Sequence, residues 1–281
     1  MKILITGANG QLGREVTKQY RENTNVDLIL TDIEDLDIIN VMVVNSFLFK
    51  NKPDVIVNCA AYTAVDKCET DVDLSYRINV IGPKNLAAAA NEIGAEIVQV
   101  STDYVFDGTI DRHLTEFDEV NPQTVYGKTK LQGEILVREL NPKHYIVRTA
   151  WLYGDGNNFV RTMINLSKTE ESIKVVNDQK GTPTSTVDLA KVIINLIENK
   201  NYGLFHVTCK GECTWYEFTK EIFRIKGIDT EVLPCTTEEF PRPAKRPKYS
   251  VLRNYMLEMT SGDITRSWQE ALAEYLLEIE V

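Results

Sequence analysis

Tyr126-Gly127-Lys128-Thr129-Lys130 sets a phenol and an ammonium four residues apart, at the start of a predicted helix running to about Leu140. That spacing puts both side chains on one helix face. A positive charge beside a phenol favours the phenolate and lowers the phenol pKa toward working pH, which suits a proton donor. The pattern also arises by chance in many helices, so its meaning depends on what the rest of the chain brings to it. Val100-Ser101-Thr102-Asp103-Tyr104-Val105-Phe106 ends the apolar run that precedes this helix. Ligands of open parallel sheets sit beyond the C-terminal strand ends. Thr102 is therefore expected to face Tyr126 across a substrate, with its hydroxyl on a carbonyl. The alternative is that Ser101, Thr102 and Asp103 only satisfy turn backbone.

A second group of residues suits a dinucleotide. Thr6-Gly7-Ala8-Asn9-Gly10-Gln11-Leu12-Gly13 follows the first apolar run and opens a helix, with glycines spaced G-x-x-G-x-x-G. Gly7, Gly10 and Gly13 divide three tasks: a tight turn, backbone approach to a pyrophosphate, and close helix–strand packing. Asp32 stands about twenty residues further on, where an acid binds the adenosine ribose hydroxyls. An acid there repels an extra phosphate and favours NADH. No Arg occurs in Ile33–Leu36, but cations from other loops leave NADPH open. Asn58-Cys59-Ala60-Ala61-Tyr62-Thr63-Ala64-Val65-Asp66 follows another apolar run; its small Ala60 and Ala61 allow the backbone to pass close beneath a cofactor, or simply make a tight loop.

The elements that must position these residues follow from periodicity. Ile3–Ile5, Leu28–Leu30, Val55–Val57, Ile97–Val100 and Tyr145–Val147 are short and apolar nearly throughout, as parallel strands buried on both faces are. Helical patterns lie between them, including Leu74–Ile93. The alternation predicts an α/β fold with a doubly wound parallel (Rossmann) sheet and a smaller C-terminal α/β substrate domain. Residues 1–150 plus roughly 184–208 are assigned to the dinucleotide-binding domain, and roughly 151–183 plus 209–281 to the substrate domain. Beyond Trp151 the predicted elements are helices over Asn158–Ser167, Asp188–Glu198 and Tyr216–Ile225 and strands over Ile173–Val176, Leu204–Val207 and Thr230–Leu233. A last helix is predicted to begin near Thr265.

Composition narrows the partners. The 281 residues carry 31 Lys+Arg against 41 Asp+Glu, a net charge of −10, which disfavours nucleic acid and anionic membrane. The five cysteines are odd in number and scattered, which fits a reducing cytoplasm better than a disulfide framework. Cys209-x-x-x-Cys213 has no second ligand pair and the three histidines do not cluster, so no metal is expected. The N-terminus lacks the plan of a signal peptide, and no apolar run is long enough for a membrane span.

With these stretches in place the chain resembles the extended short-chain dehydrogenase/reductases and, more narrowly, the dTDP-4-dehydrorhamnose reductase family. The likeness rests on Gly7–Gly13, Pro53–Asn58, Ala60–Asp66, Ser101–Phe106, Tyr126–Lys130, Arg148–Trp151, Asn157–Phe159, Asn177–Gln179, Gly181–Thr184 and Arg246-Pro247. It implies NADPH or NADH as cofactor and a dTDP-sugar as substrate. Tyr126 would donate the proton, Lys130 would tune it and hold the nicotinamide ribose, and Thr102 would polarise the C4 carbonyl. Thr102, Asp103 and Trp151 would contact the sugar nucleotide. Gly10, Gln11, Leu12, Asp32, Asp37, Ile38, Ala61, Tyr62 and Thr63 would line the cofactor. Trp151 could instead be core. Arg246, with Lys245 or Lys248, could take the substrate diphosphate or belong to a solvated basic loop. Some members of the family bridge a dimer through a carboxylate-bound magnesium ion. Glu15 matches one such carboxylate, but Val187 stands where the second belongs, so a monomer or weak homodimer is expected.

Three rival readings come with the resemblance. Related 4,6-dehydratases follow Thr-Asp with a glutamate base, and Tyr104 occupies that place here. An epimerase needs only the same hydride machinery with substrate rotation. A regulatory subunit like the β subunit of methionine adenosyltransferase would need no catalytic set, whereas Thr102, Tyr126 and Lys130 are all present.

Overall fold

Six parallel strands form the central sheet of the computed structural model, which describes residues 1–22 and 26–279. They are β1 (Lys2–Thr6), β2 (Asp27–Thr31), β3 (Val55–Asn58), β4 (Glu96–Thr102), β5 (His144–Thr149) and the strand Gly203–His206. Their order is β2-β1-β3-β4-β5 with Gly203–His206 at the far edge, and each neighbouring pair is parallel. Successive side chains point to opposite faces, so each apolar run serves two cores. Ile3, Ile5, Val57, Val98 and Val147 pack on one side with Leu12, Val16, Leu189 and Ile193. Leu4, Ile56, Ile97 and Ile146 pack on the other with Val44, Leu48, Leu86 and Ala90. The strand order reverses between β1 and β3, which opens a crevice beyond their C-terminal ends. The glycine loop and the 59–66 loop both leave the sheet there.

The stretch expected as one helix over Leu74–Ile93 is three segments: Val72–Tyr76, a π turn over Arg77–Ile81, and Gly82–Glu92. Pro83 stands in the first turn of the last segment. It has no N–H to donate to the carbonyl four residues back, that of Asn79. The wider turn accommodates this and sets the Asn79 side chain on the loop after β3. The last helix is Trp268–Glu278, starting after the predicted Thr265 because Ser267 and Glu270 form a capping box.

A smaller body is built on the parallel pair Ser172–Val176 and Glu231–Cys235. The helices Phe159–Ser167, Trp215–Lys226 and Trp268–Glu278 bury Val160, Ile164, Phe218, Ile222 and Leu272 against it. Full burial of an aromatic such as Phe218 is worth roughly 1.5–3 kcal/mol. Among the described residues no helix is long and apolar enough to cross a membrane.

Candidate active site

The glycine loop is shaped for close approach. Gly7 has φ +62°, and a Cβ there would lie 2.8 Å from the Ala60 nitrogen. A Cβ at Gly13 would run into the Gly7 carbonyl. Gly10 precedes the helix Gln11–Arg21 and supplies no side-chain cap, which leaves the first helical N–H groups for an anion. Asp32 directly follows β2, where its carboxylate accepts from Asn9 N (3.2 Å) and Ile33 N (2.9 Å). Asp37 accepts from Ile39 N, while the Ile38 side chain turns into the core. The loop with Ala60, Ala61, Tyr62 and the exposed Thr63 is pinned by Asn79. Its Oδ1 accepts from Tyr62 N (2.9 Å), and its Nδ2 donates to Tyr62 O and Thr129 Oγ1. The apolar surroundings of Asn79 hid this role from the sequence pattern. Gln11 accepts from Gly154 N and Asn158 Nδ2, tying the glycine loop to the chain beyond β5. Glycine placement, the uncapped helix start and the ribose-position acid together fit a dinucleotide.

Two strands away, Thr102 ends β4 and is 5% exposed. Its Oγ1 donates to Asp103 Oδ1 (3.0 Å) and accepts from Tyr104 N (3.2 Å). Tyr126 lies in the first turn of the helix Val125–Leu140, whose start is fixed by Thr124 Oγ1 accepting from Gly127 N. The Tyr126 ring is buried and meets the Tyr104 ring edge-on at 5.5 Å.

Burial pushes the Tyr126 phenol above its ordinary range, and the adjacent Thr102 hydroxyl draws it partly back. This direction is opposite to the lowering by Lys130 expected from the spacing. The Lys130 ammonium instead donates to the Val100 carbonyl at 2.6 Å. Burial pulls it down to about 8, against the opposing charges of Glu134 and Cys59. The desolvation of a phenolate in a closed site outweighs a cation held on backbone. Below Lys130, Glu134 and Arg148 form a buried ion pair (Nη2 to Oε2 2.7 Å), and Ser101 donates its hydroxyl to the same carboxylate.

Trp151 follows β5 with φ +48°, a strained backbone for a bulky residue, costing on the order of 1–3 kcal/mol. Its ring stacks on Trp215 at 3.5 Å and 8°. The sequence left Trp151 between site and core, and it stands at their seam. It packs on the smaller core and orients Trp215, which lines a cleft of about 700 Å³. Phe159, Phe240, Arg242, Arg246 and Lys248 line the same cleft. Trp215 and Phe240 were missed by sequence reasoning, because Trp215 opens an amphipathic helix whose aromatics read as core and Phe240 lies outside any helix or strand. Arg246 is a bidentate partner of Asp66, with Nη1 to Oδ1 3.2 Å and Nη2 to Oδ2 3.0 Å. The chain then runs from Arg246 in the cleft to Ser250, whose hydroxyl acts on Asp103.

No group of three His, Cys, Asp or Glu side chains among the described residues is placed to hold a metal ion. Glu15 accepts from Gln19, which also reaches the Val187 carbonyl. Cys209 and Cys213 are buried, and burial raises both thiols.

Comparison with known proteins matches residues 1–281 to the RmlD substrate binding domain family. A solved dTDP-4-dehydrorhamnose reductase from Clostridium acetobutylicum is 70% identical, with a TM-score of 0.98 over 99% of this chain and 100% of that one. A second, from Bacillus anthracis in complex with NADP, is 44% identical with a TM-score of 0.94 and 99% of each chain covered. The dTDP-4-dehydrorhamnose reductase of Aggregatibacter actinomycetemcomitans is 40% identical over 96% of this chain and 97% of its own length.

Proposed function

Because this chain belongs to the dTDP-4-dehydrorhamnose reductase family, we propose that it reduces the C4 ketone of dTDP-4-dehydro-L-rhamnose to dTDP-L-rhamnose at the expense of NADPH or NADH. The observation that carries the reading is the buried Tyr126 phenol beside the Thr102 hydroxyl at the end of β4, next to the dinucleotide crevice. A nicotinamide held in the crevice would supply the hydride for the ketone carbon. Thr102 donates a hydrogen bond to the ketone oxygen, and Tyr126 hands that oxygen its proton as negative charge develops there. A phenol raised by burial stays protonated at neutral pH, so the donor is loaded before each turnover.

Lys130 places a positive charge under the reacting groups, where it favours the phenolate as it forms. Asp32 receives the adenosine ribose, and the Gln11–Leu12–Gly13 backbone receives the pyrophosphate. The sugar nucleotide extends from Thr102, Asp103 and Trp151 into the cleft of the smaller substrate domain. There Arg242, Arg246 and Lys248 offer positive charge to its diphosphate, and Trp215 and Phe240 offer ring faces to its base. NADPH and NADH oxidation with dTDP-4-dehydro-L-rhamnose, with a GDP-sugar as control, tests the assignment. One nucleotide oxidised per sugar reduced is expected; turnover without net oxidation would make the enzyme an epimerase and sink it.

A further inference from the structure

We infer that Asp103 reloads the proton donor, through the Thr102 hydroxyl, after each turnover. The inference rests on the ketone reduction proposed above. Asp103 is 2% exposed, and its Oδ1 is 3.0 Å from Thr102 Oγ1. Thr102 in turn stands against the Tyr126 phenol. Thr102 is thus beside both the buried carboxyl and the reacting phenol.

Hydrogen-bond bookkeeping gives the arrangement a direction. A threonine hydroxyl has one proton and two lone pairs. Tyr104 N–H occupies one lone pair. While Asp103 is ionised, the single Thr102 proton is spent on its carboxylate, and none is left for the ketone oxygen or a phenolate. When Asp103 is protonated the bond reverses: the carboxyl donates to the second lone pair, and the Thr102 proton turns toward the site. Burial already raises the Asp103 carboxyl to about 6, against hydrogen bonds from Ser250 and Thr102 that lower it. The titratable groups that sense the Asp103 charge are the phenols of Tyr104 and Tyr126, which it holds protonated.

The transfer balances. Tyr126 gives its proton to the new alcohol and becomes a phenolate. The Thr102 O–H proton passes to Tyr126 Oη as the Asp103 proton passes to Thr102 Oγ1, leaving Asp103 ionised. Water protonates Asp103 when the site opens for product release, so one solvent proton enters per hydride.

Stopped-flow oxidation of the reduced dinucleotide separates this role from simple contact with the sugar. In Asp103→Asn the first turnover uses the proton already on Tyr126, whereas later ones lack a carboxyl to reload it. A burst of one equivalent is expected, followed by a steady state at least about tenfold slower than the variant's own first turnover. Asp103→Ala should regain steady-state rate with added formate, and it serves as the second variant if the asparagine protein does not fold. Equal slowing of both phases, or an unchanged steady state, would overturn the relay while leaving the reductase reading intact. A wild-type protein that does not oxidise the dinucleotide with the sugar would overturn both.

Discussion

The Asp66 carboxylate and the Arg246 guanidinium, 180 residues apart in sequence, meet in a two-pronged ion pair of 3.0 and 3.2 Å. The pair joins the loop after β3 to the basic segment of the cleft, and Ala244 N also donates to Asp66. Burial pushes the Asp66 carboxyl up, but the bonds from Arg246 and Ala244 outweigh it and hold the group below its usual value. A depressed carboxylate contributes stability above its unfolded pKa, and that contribution is lost as pH falls through the folded value. The pair is therefore intact throughout the neutral range. Arg246→Ala should raise KM for the sugar nucleotide about tenfold or more and leave kcat within about threefold, the signature of lost uniform binding. A KM independent of this substitution would remove Arg246 from the diphosphate site.

Tyr126→Phe keeps the ring, its burial and its edge contact with Tyr104, and removes only the hydroxyl. Turnover should fall at least about a hundredfold, the usual worth of a general acid, with dinucleotide affinity unchanged. Affinity is read by quenching of protein fluorescence. Near-normal turnover would show that the proton comes from elsewhere.

Glu134 and Arg148 are 4% and 3% exposed and hydrogen-bonded through three contacts. Glu134→Gln strands a buried guanidinium, and breaking such a pair costs about 3–5 kcal/mol. The denaturant midpoint should fall by the corresponding amount at unchanged m-value. Glu134 also raises the pKa of Lys130, so the same variant should move any alkaline loss of activity to lower pH. An unshifted midpoint would mean the interior relaxes around the lone arginine.

The strands were legible because parallel strands buried on both faces need apolar residues at every position, and Ile3–Ile5 and Val55–Val57 advertise that need. The glycine loop was legible because no other residue fits at Gly7 or Gly13. Tertiary geometry stayed hidden. Nothing in Arg77–Ile81 announces a π turn until Pro83 is seen to remove a donor from the ladder. The stack of Trp151 on Trp215 joins segments that only the fold brings together. The sign of the Tyr126 shift was misread because helical spacing reports the nearness of Lys130 but not the depth at which both groups are buried.

Lys130 carries the last prediction. Its ammonium titrates at about 8 because burial disfavours the charge, whereas an unfolded lysine titrates near about 10.4. The charged form supports the developing phenolate, so the contribution of Lys130 to activity should hold below pH 8 and fall about tenfold per pH unit above it. Stability moves the other way. Between the two pKa values the unfolded chain binds more protons than the folded one, and stability therefore rises with pH across that window. The burial penalty is fully present below pH 8 and relieved by about pH 10.4. Lys130→Met removes the penalty at every pH. The variant should be inactive, and its stability advantage over wild type should be larger at pH 7 than at pH 9.5 in denaturant unfolding. An advantage that does not shrink as pH rises would show that Lys130 titrates in its ordinary range and that the alkaline limb belongs to another group.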